Sequence, residues 1–255
     1  MRRPLVAGNW KMHGTRTSVA ELLTGLLDAC RNCRAEVAVM PSLVHLEQVF
    51  QALEGSEVVL GAQNCAVEPG QGALTGEVSV AQLLDFSCAY VLVGHSERRQ
   101  LLGEDDQQVV RKFSAVQSCG ITPILCVGET LAERESDQTL NVVLGQVSAV
   151  LDALGVQAFS RAVVAYEPVW AIGTGKTATP QQAQLVHAEL RDSVESRDSQ
   201  AASALRIIYG GSVKPSNAAE LFACNDIDGG LVGGASLKAA DFYAIAQAAS
   251  GIGLI

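Results

Sequence analysis

The sequence predicts an α/β protein built as a closed, eight-stranded parallel β/α barrel, and three observations lead there. Short apolar runs without polar alternation, the mark of strands buried on both faces, recur eight times. Stretches with helical periodicity lie between them, and strict alternation of strand and helix implies a parallel sheet with right-handed crossovers. Chemically interesting residues follow almost every strand, as expected when all strand ends open on one mouth. An open doubly wound sheet is the competing architecture, and it explains that last pattern less well. A length of 255 residues suits one such barrel. No Pro/Ser-rich linker, low-complexity block or repeat divides the chain, so residues 1–255 are expected to form a single domain.

The predicted strands are Leu5 to Ala7, Val37 to Met40, Val58 to Leu60, Tyr90 to Val93, Ile124 to Val127, Ala162 to Tyr166, Ile207 to Tyr209 and Gly230 to Val232. In the first helix Val19, Leu22, Leu23, Leu26 and Cys30 share a face, and Ser18 with Glu21 fits a capping box. Further helices are expected over 44–53, 79–86, 105–118, 139–153, 215–223 and 239–248. Another, with Val186, Leu190 and Val194 on one face, has Thr179 as N-cap, Pro180 at its first position and Gln182 completing the box.

Hydrophobic residues make up 48%, ample for a core, but no apolar stretch approaches the roughly 18 residues of a membrane helix. The run after Met1-Arg2-Arg3 is far too short for the core of a signal peptide, so a cytoplasmic chain is expected. With 18 Lys and Arg against 27 Asp and Glu, the net charge of -9 argues against nucleic acid or an anionic membrane as partner. A small anionic substrate remains compatible where cations and backbone N–H groups gather locally. Seven cysteines point to reduced thiols, and the lone Cys30-Arg31-Asn32-Cys33 closes a helical pattern without the second pair that a zinc site needs.

The chemistry centres on Ala165-Tyr166-Glu167-Pro168-Val169-Trp170-Ala171-Ile172-Gly173-Thr174-Gly175-Lys176. A buried strand ends in a carboxylate, Glu167, which Pro168 restrains at the rim of the sheet. Bulky Val169 and Trp170 and a run of small residues then read as a lid with a hinge. Gly175-Lys176-Thr177 is not a P-loop, because Trp170 occupies the position of the required first Gly. Gly173 to Ala178 is not a dinucleotide fingerprint, because it begins several residues past the strand.

Other groups follow the other strands: Gly8-Asn9-Trp10-Lys11 after the first, Gly94-His95-Ser96-Glu97-Arg98-Arg99 after the fourth, Gly210-Gly211-Ser212 after the seventh and Gly233-Gly234 after the eighth. Each alone has a bland explanation, as a solvated lysine, a hydrogen-bonded histidine or glycines in turns. Together, a base, a cation, an imidazole and bare backbone N–H groups suit proton abstraction beside the carbonyl of a phosphorylated small molecule. No His/Cys/Asp cluster has metal-ligand spacing, so neither metal nor cofactor is expected.

From residue 4 to about residue 248 these motifs, with Tyr209-Gly210-Gly211-Ser212-Val213 and Leu231-Val232-Gly233-Gly234-Ala235, resemble the triosephosphate isomerase family, and hence a TIM barrel. The resemblance implies an isomerase of glycolysis and gluconeogenesis that interconverts dihydroxyacetone phosphate and D-glyceraldehyde 3-phosphate. It casts Glu167 as the base, His95 as the group polarising the carbonyl, and Lys11 with Asn9 as stabilisers of the enediolate and anchors of the anion. That division of labour, with a neutral histidine at a helix N-terminus and a closing sixth loop, is the family's established one and comes with the resemblance, not from spacing. The N–H groups of Gly173, Ser212, Gly233 and Gly234 would hold the phosphate. Ser96, Glu97 and Cys126 would stand behind the reacting groups, Glu97 toward Lys11 and Cys126 in packing. Closure of 168–176 would keep water from the enediolate.

The family is typically homodimeric through its third β/α loop, here Gln63 to Glu77, with Thr75 expected near Asn9 and Lys11 of the second copy. Two residues depart from the family pattern: His13 replaces an Asn and Leu74 an aromatic. A sugar-phosphate epimerase or an indole-forming barrel enzyme would share the phosphate cradle but lack Lys11, His95 and Glu167 together. A non-catalytic scaffold would show substitution at Glu167 or Lys11.

Overall fold

In the computed structural model, residues 2–31, 33–173 and 176–251 are described. Eight parallel strands close in sequence order: β1 Leu5–Asn9, β2 Glu36–Met40, β3 Val59–Ala62, β4 Tyr90–Val93, β5 Thr122–Val127, β6 Val163–Tyr166, β7 Arg206–Tyr209 and β8 Gly229–Val232. β1 pairs with both β2 and β8, which seals the barrel. The predicted TIM barrel is therefore the observed one.

The α-helices among the described residues are α1 Arg16–Cys30, α2 Leu46–Ala52, α3 Val80–Asp85, α4 Ser96–Leu102, α5 Asp106–Ser118, α6 Leu131–Glu135, α7 Thr139–Leu154, α8 Pro180–Glu195, α9 Ser199–Ala204, α10 Ala218–Phe222 and α11 Ala239–Ser250. None is long and apolar enough to cross a membrane. The box that opens α8 is the predicted one, Thr179 accepting from the Gln182 amide with Pro180 next to it. The box that opens α1 is not. It joins Thr15 to Ser18 instead of Ser18 to Glu21, and the helix starts at Arg16. Gly14, at φ +111° and close against Val19, makes the turn that fixes this earlier start. The segment 44–53 divides into a 3-10 turn, Leu43–His45, and α2, while α10 begins at Ala218 instead of near 215. The short α6 and α9 were not expected. Asp198 caps α9 through the amides of Gln200 and Ala201.

Two cores follow from the period-two alternation of the strands. One lies between sheet and helices; the other fills the barrel with Leu5, Ala7, Ala38, Met40, Tyr90, Leu92, Ile124, Cys126, Val163, Ala165, Ile208 and Leu231. The parity places the site. Asn9 follows Leu5 and Ala7, and Glu167 follows Val163 and Ala165, so both belong to the inward set at the top of the barrel. The opposite end carries a polar plug, in which Glu36 accepts from Tyr90 Oη and Arg206 Nη1 at 2.6 Å each, while Arg206 Nη2 donates to Tyr90 Oη at 2.7 Å.

Of the Cys30–Cys33 segment, Asn32 lies outside the described residues. Cys30 is buried in the core, which pushes its thiol up to about 12, and Cys33 Sγ meets Ser250 Oγ at 3.4 Å. Both act as packing residues.

Candidate active site

Glu167 is buried where β6 ends, and its backbone extends the ladder by one bond, its N–H donating to Val127 O at 2.7 Å. The glycines beside it leave it room. A Cβ on Gly210 would stand 2.8 Å from Glu167 Cγ, and one on Gly128 would overlap the Glu167 carbonyl.

The N-terminus of α4 holds the carboxylate. Oε1 lies 2.9 Å from His95 Nε2, and Oε2 accepts the Ser96 amide at 2.9 Å. His95 is the N-cap of α4, and its Nδ1 accepts the Glu97 amide at 3.2 Å. A ring nitrogen that accepts carries no hydrogen, so the proton sits on Nε2 and is donated to Glu167.

Burial opposes a charge on His95, but the Glu167 carboxylate, with help from Glu97, outweighs it and raises the affinity of the ring for a second proton. The amide pointing at Nδ1 works the other way, because it occupies the place that proton would take. The hydrogen-bond geometry decides for a neutral ring. Burial likewise opposes the charge on Glu167, yet His95, the Ser96 amide and Lys11 hold its carboxyl below the ordinary glutamate value.

Lys11 sits on the loop after β1 with φ +52°, an uncommon backbone state for a residue with a side chain. Asn9 Oδ1 accepts its amide at 3.0 Å, Gln63 Nε2 donates to its carbonyl at 2.9 Å, and its ammonium pairs with Glu97. Asn9, Lys11, His95 and Glu167 all line one cavity of about 420 Å³, together with Gly173, Ser212, Gly233 and Gly234. The structure thus brings together eight of the predicted residues. Lys214 and Lys238 line it too, with Asp241 4.0 Å from Lys238 Nζ, so lysines outnumber carboxylates in the lining by three to two.

The family model of triosephosphate isomerase matches residues 4–249 of the chain. The chain belongs to the triosephosphate isomerase family. It is 64% identical over 249 residues to the triosephosphate isomerase of Ectopseudomonas mendocina (strain ymp), a match covering 98% of this chain and 99% of that one. The corresponding proteins of Pseudomonas aeruginosa (strain LESB58) and Pseudomonas putida (strain GB-1) are 61% and 58% identical with the same coverage.

The remaining predicted residues do not line this cavity. Cys126 is fully buried, and its thiol lies well above the ordinary value, chiefly through burial. Ser96 contributes its backbone amide. Thr75 lies apart in the exposed third loop, beside Gly76 at φ +90°. Of the loop 168–176, Val169–Ala171 form a 3-10 turn, while Thr174 and Gly175 lie outside the described residues.

Sequence reasoning passed over Glu129. This fully buried carboxylate anchors the start of that loop. Its Oε1 accepts from Trp170 Nε1 at 2.8 Å and Tyr166 Oη at 3.2 Å, and Arg134 lies 4.5 Å over the indole. Its place just past β5 was the available signal. Lys214, two residues beyond Ser212, was legible in the same way. Among the described residues no group of three or more His, Cys, Asp or Glu side chains is gathered as a metal ion would require.

Proposed function

We propose that this chain interconverts dihydroxyacetone phosphate and D-glyceraldehyde 3-phosphate by proton transfer through an enediolate, without a metal ion. The observation that carries the reading is the convergence of Glu167, His95, Lys11 and Asn9 on one cavity with the glycine-rich ends of β7 and β8. Glu167 removes a proton from one carbon and returns one to its neighbour. A carboxylate is a weak base toward C–H, so the developing oxyanion needs donors placed in advance. The Nε2–H of His95 and the ammonium of Lys11 are such donors, held by the Glu97 amide and the Glu97 carboxylate respectively. Gly173, Ser212, Gly233 and Gly234 receive the phosphate, and Lys214 adds attraction for the dianion.

Residues 1–255 act as one barrel domain in this reading, and two copies pair through loop 63–77. A groove beside the site, lined by Met12, Val44, Leu101 and Leu102, supports the pairing, for Met12 is 94% exposed and the other three are exposed apolar side chains. Leu74, at the tip of the third loop, is the apolar residue offered in return, and Thr75 would approach Asn9 and Lys11 of the second copy. Sedimentation equilibrium should return twice the chain mass; a monomer at micromolar concentration would refute the pairing.

The test of the activity is interconversion of the two triose phosphates by purified protein in chelator and deuterated water. Rapid conversion with deuterium in the product supports an exchanging base that needs no metal. Folded protein that converts neither substrate overturns the reading.

A further inference from the structure

Glu167 borders two cavities. Besides the substrate cavity it walls a smaller, separate recess of about 100 Å³, shared with Cys126, Arg99, Gln100, Thr130 and Gln146. At roughly 30 Å³ each, three waters fit there. The inner end is formed by buried Glu167 and Cys126, and the outer end by exposed Gln100 with half-buried Thr130 and Gln146. The recess therefore extends from exposed and half-buried residues in to buried Glu167, which is the one lining residue it shares with the substrate cavity. Ser96, whose amide holds Glu167 Oε2, lines it as well.

A second observation points to water. Arg99 donates through Nε to Gly94 O at 2.8 Å and through Nη1 to Asp106 at 2.6 Å, yet its buried Nη2 has no partner in the protein. A buried guanidinium N–H at a polar recess is where ordered water is held, because the group is costly to leave unsatisfied.

Resting on the isomerase reading, we propose that this rear recess is the path by which Glu167 exchanges its proton with solvent while substrate fills the front. The C–H proton passes to the carboxylate, whose O–H then gives that proton to a water in the recess and takes one of the water's in return. The carboxylic acid delivers the solvent-derived proton to the neighbouring carbon. No electrons are gained or lost, and no other reactant is consumed.

The test converts D-glyceraldehyde 3-phosphate in deuterated water and reads by proton NMR the fraction of product carrying deuterium instead of retained protium. Gln100→Trp places an indole across the outer end, and Gln100→Leu keeps the volume but removes the polar mouth. The deuterated fraction should fall at least twofold in the tryptophan variant and measurably in the leucine variant, with kcat/KM within twofold of the unaltered protein. An unchanged fraction in either folded variant overturns the proposal, as does complete retention of protium by the unaltered protein. Absence of any conversion by the unaltered protein is a different result, which removes the isomerase reading and this inference with it.

Discussion

Gly210→Ala tests whether the position of the Glu167 carboxylate controls the rate. The added methyl would stand 2.8 Å from Glu167 Cγ and 3.2 Å from Tyr166 O. It has no way to retreat, because the Gly210 amide is bonded to that carbonyl at 2.7 Å. Carbon atoms settle at roughly 3.5–4.0 Å, so the glutamate side chain must give by about 1 Å. A displacement of about 1 Å costs roughly 10²-fold in rate, which is about 2.7 kcal/mol of barrier. The overpacking should cost a further 1–3 kcal/mol or so of stability. The contrast is Gly233→Ala, whose methyl meets only Lys11 Cε, at an ordinary 3.6 Å, but stands in the phosphate cradle. Steady-state kinetics with D-glyceraldehyde 3-phosphate should show Gly210→Ala losing kcat with inhibition by inorganic phosphate retained, and Gly233→Ala raising KM. A Gly210→Ala enzyme within about threefold of the unaltered kcat would refute the reasoning, since the rate would then tolerate a displaced base.

Three further outcomes follow from the same geometry. Glu167→Gln keeps the shape of the side chain but removes the base, so kcat should fall by roughly 10²–10⁴-fold or more while inorganic phosphate still binds; joint loss of both would mean the residue serves folding or the phosphate site. Asp228→Ala removes an acceptor of Arg2 Nε, Arg191 Nη2 and the Ile207 amide and leaves Arg191 with one carboxylate, Asp226, beside the Ala202 and Leu205 carbonyls. That should cost about 3 kcal/mol, seen as a fall in Tm of roughly 6–12 °C, and a shift under 2 °C would show the network to be dispensable. His187 is fully buried and held at about 4, mainly by burial, with Nδ1 donating to Asp226 O. Between pH 6.5 and 4 the unfolded chain takes up a proton that the folded chain refuses, so this stabilisation is whole above pH 6.5 and about 3 kcal/mol of it is lost by pH 4. Denaturant unfolding of His187→Gln should show a flatter acid limb, and an unchanged slope would contradict the assignment.

What could be read from the residues was local or periodic. The apolar runs marked all eight strands, and Thr179, Pro180 and Gln182 marked the start of α8. Asn9, Lys11, His95 and Glu167 could be grouped because each follows a strand end and all strand ends share one mouth. The start of α1 was misread because Ser18 can serve either as a cap or as the third residue of a box, and the turn at Gly14 chooses between them. α9 went unseen because only Ala201 and Ala202 of it are buried, so the polar stretch carries almost no periodic signal. The hold of the Ser96 amide on Glu167, the anchoring of Trp170 by Glu129 and the recess behind the base join residues far apart in the chain. No spacing rule encodes them.

The inward parity of Val163, Ala165 and Glu167 sets a limit on how this protein can be rebuilt. The base is indexed to the strand, not to the loop that follows it. Replacing or resizing the chain beyond Trp170 leaves that index untouched. A single residue inserted within β6 would instead turn Glu167 into the helix layer and present Tyr166 to the substrate, and a deletion would put Pro168 there, as in any strand shifted by one. Grafting of foreign loops onto this mouth is therefore open to trial and error, whereas the length of β6 is an inherited constant.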